Sequence, residues 1–341
     1  MGGVSLYLPP FLSSFSLAIL GFLLLSLFLR RCNACQFSIW KRRGGLIFLF
    51  SFSIAILLNQ SLEISLQIAG ILIGLFCIAI FGFLDDQRSF GWQWQLIFQV
   101  GLVGILLVFG FRIFSLPVPF LGTMFLPSSI AGEIASGTTL LILVVFLVNS
   151  LNWADGIDGL FPGVVLVSSC ILFLLSLFPD VNQPPLGILS MALLGSMGGL
   201  LIFNIAPARF FAGTSGSFGA GFLLAAMAVI SGTKIATLLL ALAIPAADAL
   251  WVIGERVRDG KSPFQGRDGR HLHFRLRSLG WSDIAISLLY AGLTGIIGIL
   301  ALYTRSMGKF FAIISVFLLA FFLISWIRQS VQRRGSEIIQ G

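Results

Sequence analysis

Charge is what this sequence has least of. Only 10% of its 341 residues are Asp, Glu, Lys or Arg, against roughly 25% in an ordinary soluble domain. So few charges cannot cover a water-soluble chain of this length, which excludes a soluble enzyme. A hydrophobic content of 57% excludes an intrinsically disordered chain. Cysteine is scarce too, with four residues, which excludes a secreted disulfide scaffold. Cys32 and Cys35 form a C-x-x-C, but neither a second pair nor a nearby histidine completes a zinc site, so they read as reduced cytosolic thiols. Cys77 and Cys170 fall inside apolar runs. No internal repeat, low-complexity tail or soluble domain is visible.

Long apolar runs are what is there. They recur from end to end and satisfy their backbone polar groups as helices in lipid. The expected fold is therefore all-α, a single polytopic membrane bundle over residues 1–341. Runs fall near 11–29, 46–58, 64–84, 92–111, 138–149, 161–178, 186–203, 218–230, 235–253, 284–302 and 310–327, giving about eleven spans with short or tilted members allowed. The first run lacks a basic segment before it and a small-residue cleavage site after it, so it reads as a retained span.

The net charge is +8. In this setting it points to basic loops beside anionic lipid head groups, not to nucleic acid. All the basic residues except Arg112, Lys234, Arg305 and Lys309 lie on one side of the runs. That side is expected to be cytoplasmic, with the N-terminus outside and the C-terminus inside. Asp85, Asp86, Asp155, Asp158, Asp259, Asp268 and Asp283 share it, and Asp248 sits inside a run just before it. The longest polar stretch, residues 254–283, is a loop long enough to be functional.

Four segments carry chemistry. Asp85-Asp86 closes the third run. Paired carboxylates at a membrane boundary suit Mg²⁺ or a base facing a phosphate, with a solvated acidic cap as the alternative. The stretch 149–160 places Asn149, Asn152 and Asp155 along roughly one helical face, with Asp158 in the turn after it. Amides and carboxylates there suit a base edge, sugar hydroxyls or a metal; interhelical hydrogen-bond glue is the alternative. The link 204–217, with Asn204, Phe211 and the small run Gly213-Thr214-Ser215-Gly216-Ser217, suits either an anion-binding nest or small-residue packing. His271 and His273, flanked by Arg270 and Arg275, look like a phosphate clamp, against metal ligation or plain surface charge.

In this order and with this placement, the four segments resemble the polyprenyl-phosphate N-acetylhexosamine-1-phosphate transferases. The resemblance runs from Arg43-Gly44-Gly45 to the His271 loop, and His271-Leu272-His273 looks closer to the GlcNAc-type branch than to the muramoyl-pentapeptide branch. It implies transfer of a sugar 1-phosphate from a UDP-sugar to a polyprenyl phosphate, with release of UMP, at the cytoplasmic face of the inner (plasma) membrane. It implies Mg²⁺ as cofactor, held by Asp86 and Asp158. Asp85 would orient or deprotonate the lipid phosphate, with Asp86 beside it. Asn149, Asp155, Asn204 and Phe211 would hold the uridine, Phe211 by stacking. Asn152 and Asp158 would support the sugar or diphosphate, Ser215 lies in the phosphate-side turn, and His271, His273 and Arg275 would contact the diphosphate. Three positions depart from the family pattern: Thr214 stands where a metal-binding aspartate is usual, Phe274 where a third histidine is, and Gln93 and Gln95 where basic residues are. Two other readings stay open. One is a homologue that binds UDP-sugar or polyprenyl phosphate without turnover. The other is a lipid-linked substrate transporter, which would instead carry ionisable groups in mid-span. A homodimer is also left open.

Overall fold

A computed structural model describes residues 2–29, 40–118, 122–127, 129–232, 235–265, 269–304 and 306–340. Cys32, Cys35, Lys234, Arg267, Asp268 and Arg305 lie outside the described residues. Thirteen helices follow in order among those described: α1 Gly2–Leu29, α2 Gly44–Leu57, α3 Leu66–Arg88, α4 Trp92–Val108, α5 Ile130–Ala154, α6 Leu160–Ser176, α7 Pro184–Asn204, α8 Gly213–Ile230, α9 Ile235–Ala241, α10 Ala243–Arg258, α11 Leu272–Ser278, α12 Asp283–Tyr303 and α13 Ser306–Gln340. One departure from an all-α chain lies between α4 and α5. There β1 (Ser115–Val118) pairs antiparallel with β2 (Gly122–Phe125), Ser115 opposite Phe125. Pro117 has no N–H to give a helix, so this short connection stays extended.

The protein is a multi-pass helical membrane protein. Seven described helices (α1, α3, α5, α7, α8, α12 and α13) are long and apolar enough to cross a bilayer, and α9 with α10 would make an eighth. The apolar runs that gave α2, α4 and α6 form helices of 10–17 residues. At 1.5 Å per residue these fall short of a hydrocarbon core of about 30 Å. This is why counting apolar runs gave a larger number than helix length supports. The run at 235–253 is not one straight helix, since α9 and α10 meet at 82°. Pro245 cannot donate to the carbonyl of Ala241, so the helix breaks there.

The most enclosed helix is α8, which packs against α5, α3 and α2. Around this centre α7 packs on α1 and α6, and α12 lies along α6. The tight approach of α3 to α8 depends on Gly82, where a Cβ would sit 2.4 Å from the Ser215 Cα. That contact puts the next turn of α3, carrying Asp85 and Asp86, against the first turn of α8.

Candidate functional site

Asp85 and Asp86 open the last turn of α3, directly after the apolar run. Asp85 is buried and well supplied with donors. Its Oδ1 accepts from the Phe90 N–H (2.9 Å) and the Gln95 amide (3.3 Å); its Oδ2 accepts from the Thr214 hydroxyl (2.5 Å) and again from Gln95 (3.3 Å). Asp86 Oδ1 accepts from the Thr214 N–H at 3.0 Å, while its Oδ2 is buried without a partner. The residue before α8, Ala212, has no side chain to cap it, so α3 supplies the cap. A carboxylate also complements the positive end of the α8 dipole. Gly213 makes the turn at φ +64, and a Cβ there would meet Asp86 Oδ2 at 2.6 Å.

The 149–160 segment spans the end of α5 and the turn into α6. Asn152 accepts from the Ser217 hydroxyl on α8 at 2.8 Å. Asn149 is buried, its amide donating to Gln99 on α4 and to the Val145 carbonyl, both at 2.7 Å. Asp155 caps the C-terminal end of α5. Asp158 Oδ2 accepts from the Ala208 N–H at 2.8 Å. Asn204 bridges two loops, accepting from the Gly159 N–H (2.9 Å) and donating to the Phe210 carbonyl (2.7 Å). Its amide thus ties the 155–160 turn to the 205–212 loop. Phe211 is fixed by its backbone, which pairs with Lys41 and Gly44, and leaves its ring exposed. Ser215 is fully buried with its hydroxyl unpartnered.

The histidine loop closes on the same turn. The Gly156 Cα faces the His273 ring so closely that a Cβ would lie 2.7 Å from Nε2. His271 is held by Asp248 on α10, its Nδ1 2.9 Å from Oδ2, while Oδ1 accepts from the Leu272 N–H at 2.7 Å. His273 Nδ1 lies 3.9 Å from the same Oδ2. Burial pushes His273 down to about 4, against the raising effect of Asp248 and with a further lowering from His271. Arg275 donates to Glu255 at 2.6 Å. Buried nitrogens of three loop residues remain unpartnered: His271 Nε2, His273 Nδ1 and Nε2, and Arg275 Nη1. Groups of this kind are rarely left unmatched without a ligand or water to meet them.

The chain of contacts is therefore continuous. Asp85 and Asp86 meet Thr214, Ser217 in the same turn of α8 meets Asn152, Asp158 and Gly159 meet the 204–210 loop, and Gly156 meets His273. Two carboxylates that sequence reasoning did not place in the site, Asp248 and Glu255, hold its basic residues. Asp248 carried a signal, as the one acid inside an apolar run. Glu255 carried none, because its partners are distant in sequence.

The fold and this polar run define a multi-pass helical membrane protein whose carboxylates, amides and unpartnered basic nitrogens are linked through the start of α8 and the 155–160 turn. The glycosyl transferase family 4 profile matches residues 68–232, from α3 to the end of α8. The chain is 30% identical over 285 residues to the phospho-N-acetylmuramoyl-pentapeptide-transferase of Carboxydothermus hydrogenoformans, covering 76% of this chain and 83% of that one. It is 27% identical over 292 residues to the probable undecaprenyl-phosphate N-acetylglucosaminyl 1-phosphate transferase of Bacillus subtilis, covering 84% and 79%. It is 30% identical over 241 residues to the decaprenyl-phosphate N-acetylglucosaminephosphotransferase of Mycobacterium leprae, covering 63% and 59%. The chain belongs to glycosyl transferase family 4.

Proposed function

We propose that this protein transfers a sugar 1-phosphate, N-acetylglucosamine 1-phosphate, from a UDP-sugar to a polyprenyl phosphate at the cytoplasmic membrane face, beginning a cell-envelope glycan. The lipid phosphate oxygen attacks the phosphorus that carries the sugar. The bond from that phosphorus to the bridging oxygen breaks, UMP leaves, and a lipid-linked sugar diphosphate remains. Both reactants are anionic, so the site must offset charge before they approach.

The observation that carries this reading is the set of unpartnered nitrogens on His271, His273 and Arg275, held against the turn that bears Asp155 and Asp158. Arg275 Nη1 is a donor for a diphosphate, and each histidine can donate from whichever ring nitrogen carries its proton. Asp85, saturated by Thr214, Gln95 and Phe90, pins α8 and fixes its neighbour. Asp86 presents the free carboxylate oxygen. Asn152, in the last turn of α5, and Asp158, in the turn after it, stand where the sugar or diphosphate would rest, Asn149 and Asp155 near the uridine, and the exposed Phe211 ring is available to stack on the base. Asn204 and Ser215 shape the loops around them.

Mg²⁺ fits this donor set in one respect. The ion is commonly held by one or two carboxylates together with substrate phosphates and water, and Asp86 has an unpartnered buried oxygen. Asp86 and Asp158 are the residues that would hold it, and it would neutralise charge on the diphosphate. A second reading, ligand binding without turnover, draws on Thr214 and on the lack, among the described residues, of three His, Cys, Asp or Glu grouped for a metal.

The test is UMP release and lipid-linked product formation from UDP-GlcNAc and polyprenyl phosphate in membranes, with and without Mg²⁺. Product that depends on Mg²⁺ supports the reading. Tight UDP-GlcNAc binding with no product supports the binding-only homologue. Impermeant labelling of cysteines at Glu63 and Arg258 tests orientation, with only the former expected to react in intact cells.

A further inference from the structure

The last helix reaches into the site through one carboxylate. Glu255 on α10 is 9% exposed and takes three donors. Its Oε2 accepts from Arg275 Nη2 at 2.6 Å; its Oε1 accepts from the Trp251 indole at 2.9 Å and pairs with Arg328 Nη1 of α13 at 3.1 Å. Asp248, Trp251 and Glu255 lie at i, i+3 and i+7, one face of α10. His271 and Arg275 lie at i and i+4 across from them. Two acids on one helix therefore hold two basic residues of the loop in register.

The charges do not cancel. One carboxylate is shared by two guanidiniums, so the cluster keeps a net positive charge. Arg275 is the member with a buried unpartnered nitrogen, Nη1. With Glu255 and Arg275 alone, the pair would be neutral and Arg275 would offer an anion little beyond a dipole. The Arg328 side chain is 35% exposed and has no unpartnered buried nitrogen.

We propose that Arg328 is a positioning residue that leaves the Arg275 guanidinium less fully offset by Glu255, and so with net positive charge toward the diphosphate, by taking up part of that carboxylate. This rests on the reading of Arg275 given under the proposed function. It makes the C-terminal helix, which lies beyond residues 68–232, part of substrate recognition without touching substrate.

The experiment is equilibrium binding of UDP-GlcNAc to the purified full-length protein in lipid nanodiscs. The variants are Arg328→Gln, Arg328→Met, Arg328→Lys and Arg275→Ala, together with the double variant Arg275→Ala/Arg328→Gln. Gln and Met both remove the charge and keep a stem of similar length, so a folding fault peculiar to one is exposed by the other. Loss of one partly screened charge at this range should raise Kd by roughly 5- to 20-fold in each. Arg328→Lys should stay near wild type. In the Arg275→Ala background, Arg328→Gln should add little, because Arg328 acts through Arg275. Wild-type affinity in both neutral variants overturns the proposal, as does an equal loss in the Arg275→Ala background. If Arg275→Ala binds as wild type, the diphosphate reading of Arg275 fails and this proposal falls with it. If Arg275→Ala weakens binding and the Arg328 variants do not, only this proposal falls.

Discussion

The Thr214 hydroxyl donates to Asp85 Oδ2 across 2.5 Å, and the same residue's N–H donates to Asp86 Oδ1 at 3.0 Å. A neutral residue at the start of α8 thus binds both carboxylates of α3, one through its hydroxyl and one through its backbone. Thr214→Val keeps the shape and removes the hydroxyl. Asp85 is buried, so losing one charge-assisted hydrogen bond should lower stability by about 1.5–3 kcal/mol. Thermal unfolding in nanodiscs measures this; an unchanged melting temperature would mean the hydroxyl contributes nothing.

Thr214→Asp asks a different question at the same place. It sets a third carboxylate against Asp85 and Asp86, where like charges repel unless a cation shares them. Without divalent cation the variant should be less stable than wild type, and Mg²⁺ should restore it. The Mg²⁺ concentration for half-maximal turnover should fall. Melting curves with and without Mg²⁺ report on the site independently of activity. A variant whose melting ignores Mg²⁺ would place the cation away from α8.

The four chemical segments were legible in the sequence because each is local: Asp85-Asp86, 149–160, 204–217 and 271–275 cluster polar residues within otherwise apolar runs. What was not legible depends on contacts across the chain. Asp85 and Thr214 are 129 positions apart, and Asp248 and His271 are 23 apart. Composition cannot show that Asp248 fixes the His271 ring, that Asn204 spends its amide on two loops, or that Gln95 donates to Asp85. The break at Leu242 was readable from Pro245 but was outweighed by the unbroken apolar run around it. The span number turns on a related point: hydropathy marks about eleven apolar runs, whereas seven or eight of the described helical units have the length of a full crossing.

Asp248→Asn tests how the histidine loop is held. The aspartate accepts from the Leu272 N–H and pairs with His271 Nδ1. The amide oxygen can still accept from the Leu272 N–H, but its NH2 can only donate to His271 Nδ1, so the contact survives only with the imidazole proton moved to Nε2 and without the carboxylate charge, at about 1–3 kcal/mol. UDP-GlcNAc affinity should drop along with stability, because His271 loses its fixed orientation. The ring resonances of a ¹⁵N-histidine-labelled protein give the tautomer directly.

His273 predicts an acid limb in the stability profile. Burial holds it down to about 4 in the folded protein, against 6.5 for the free group. Between these values the unfolded chain binds more protons, so stability rises with pH across that window and flattens above about 6.5. The contribution is fully present at neutral pH and is lost as pH falls toward 4, on the order of 3 kcal/mol in total. Melting temperatures between pH 4 and 8 should show this slope, and His273→Gln should flatten it. An unchanged slope in that variant would assign the acid limb to other groups.

Gly156→Ala tests whether the loop and the 155–160 turn work as one surface. The new Cβ would meet His273 Nε2 at 2.7 Å and the Phe274 ring at 2.8 Å, closer than atoms pack without movement. Overpacking of this size costs about 1–3 kcal/mol when neighbours must shift. Phe274 is half-buried and can turn aside, whereas His273 is fully buried beside Asp248. The loop must therefore retreat from the 155–160 turn, moving its basic groups away from the segment that bears Asp155 and Asp158. UDP-GlcNAc binding should weaken by more than the loss of stability explains, while Gly254→Ala, at a glycine with open space around it, should leave binding unchanged. If Gly156→Ala destabilises the protein yet binds UDP-GlcNAc as wild type does, the turn and the histidine loop touch without sharing a ligand, and the diphosphate must lie elsewhere along α8.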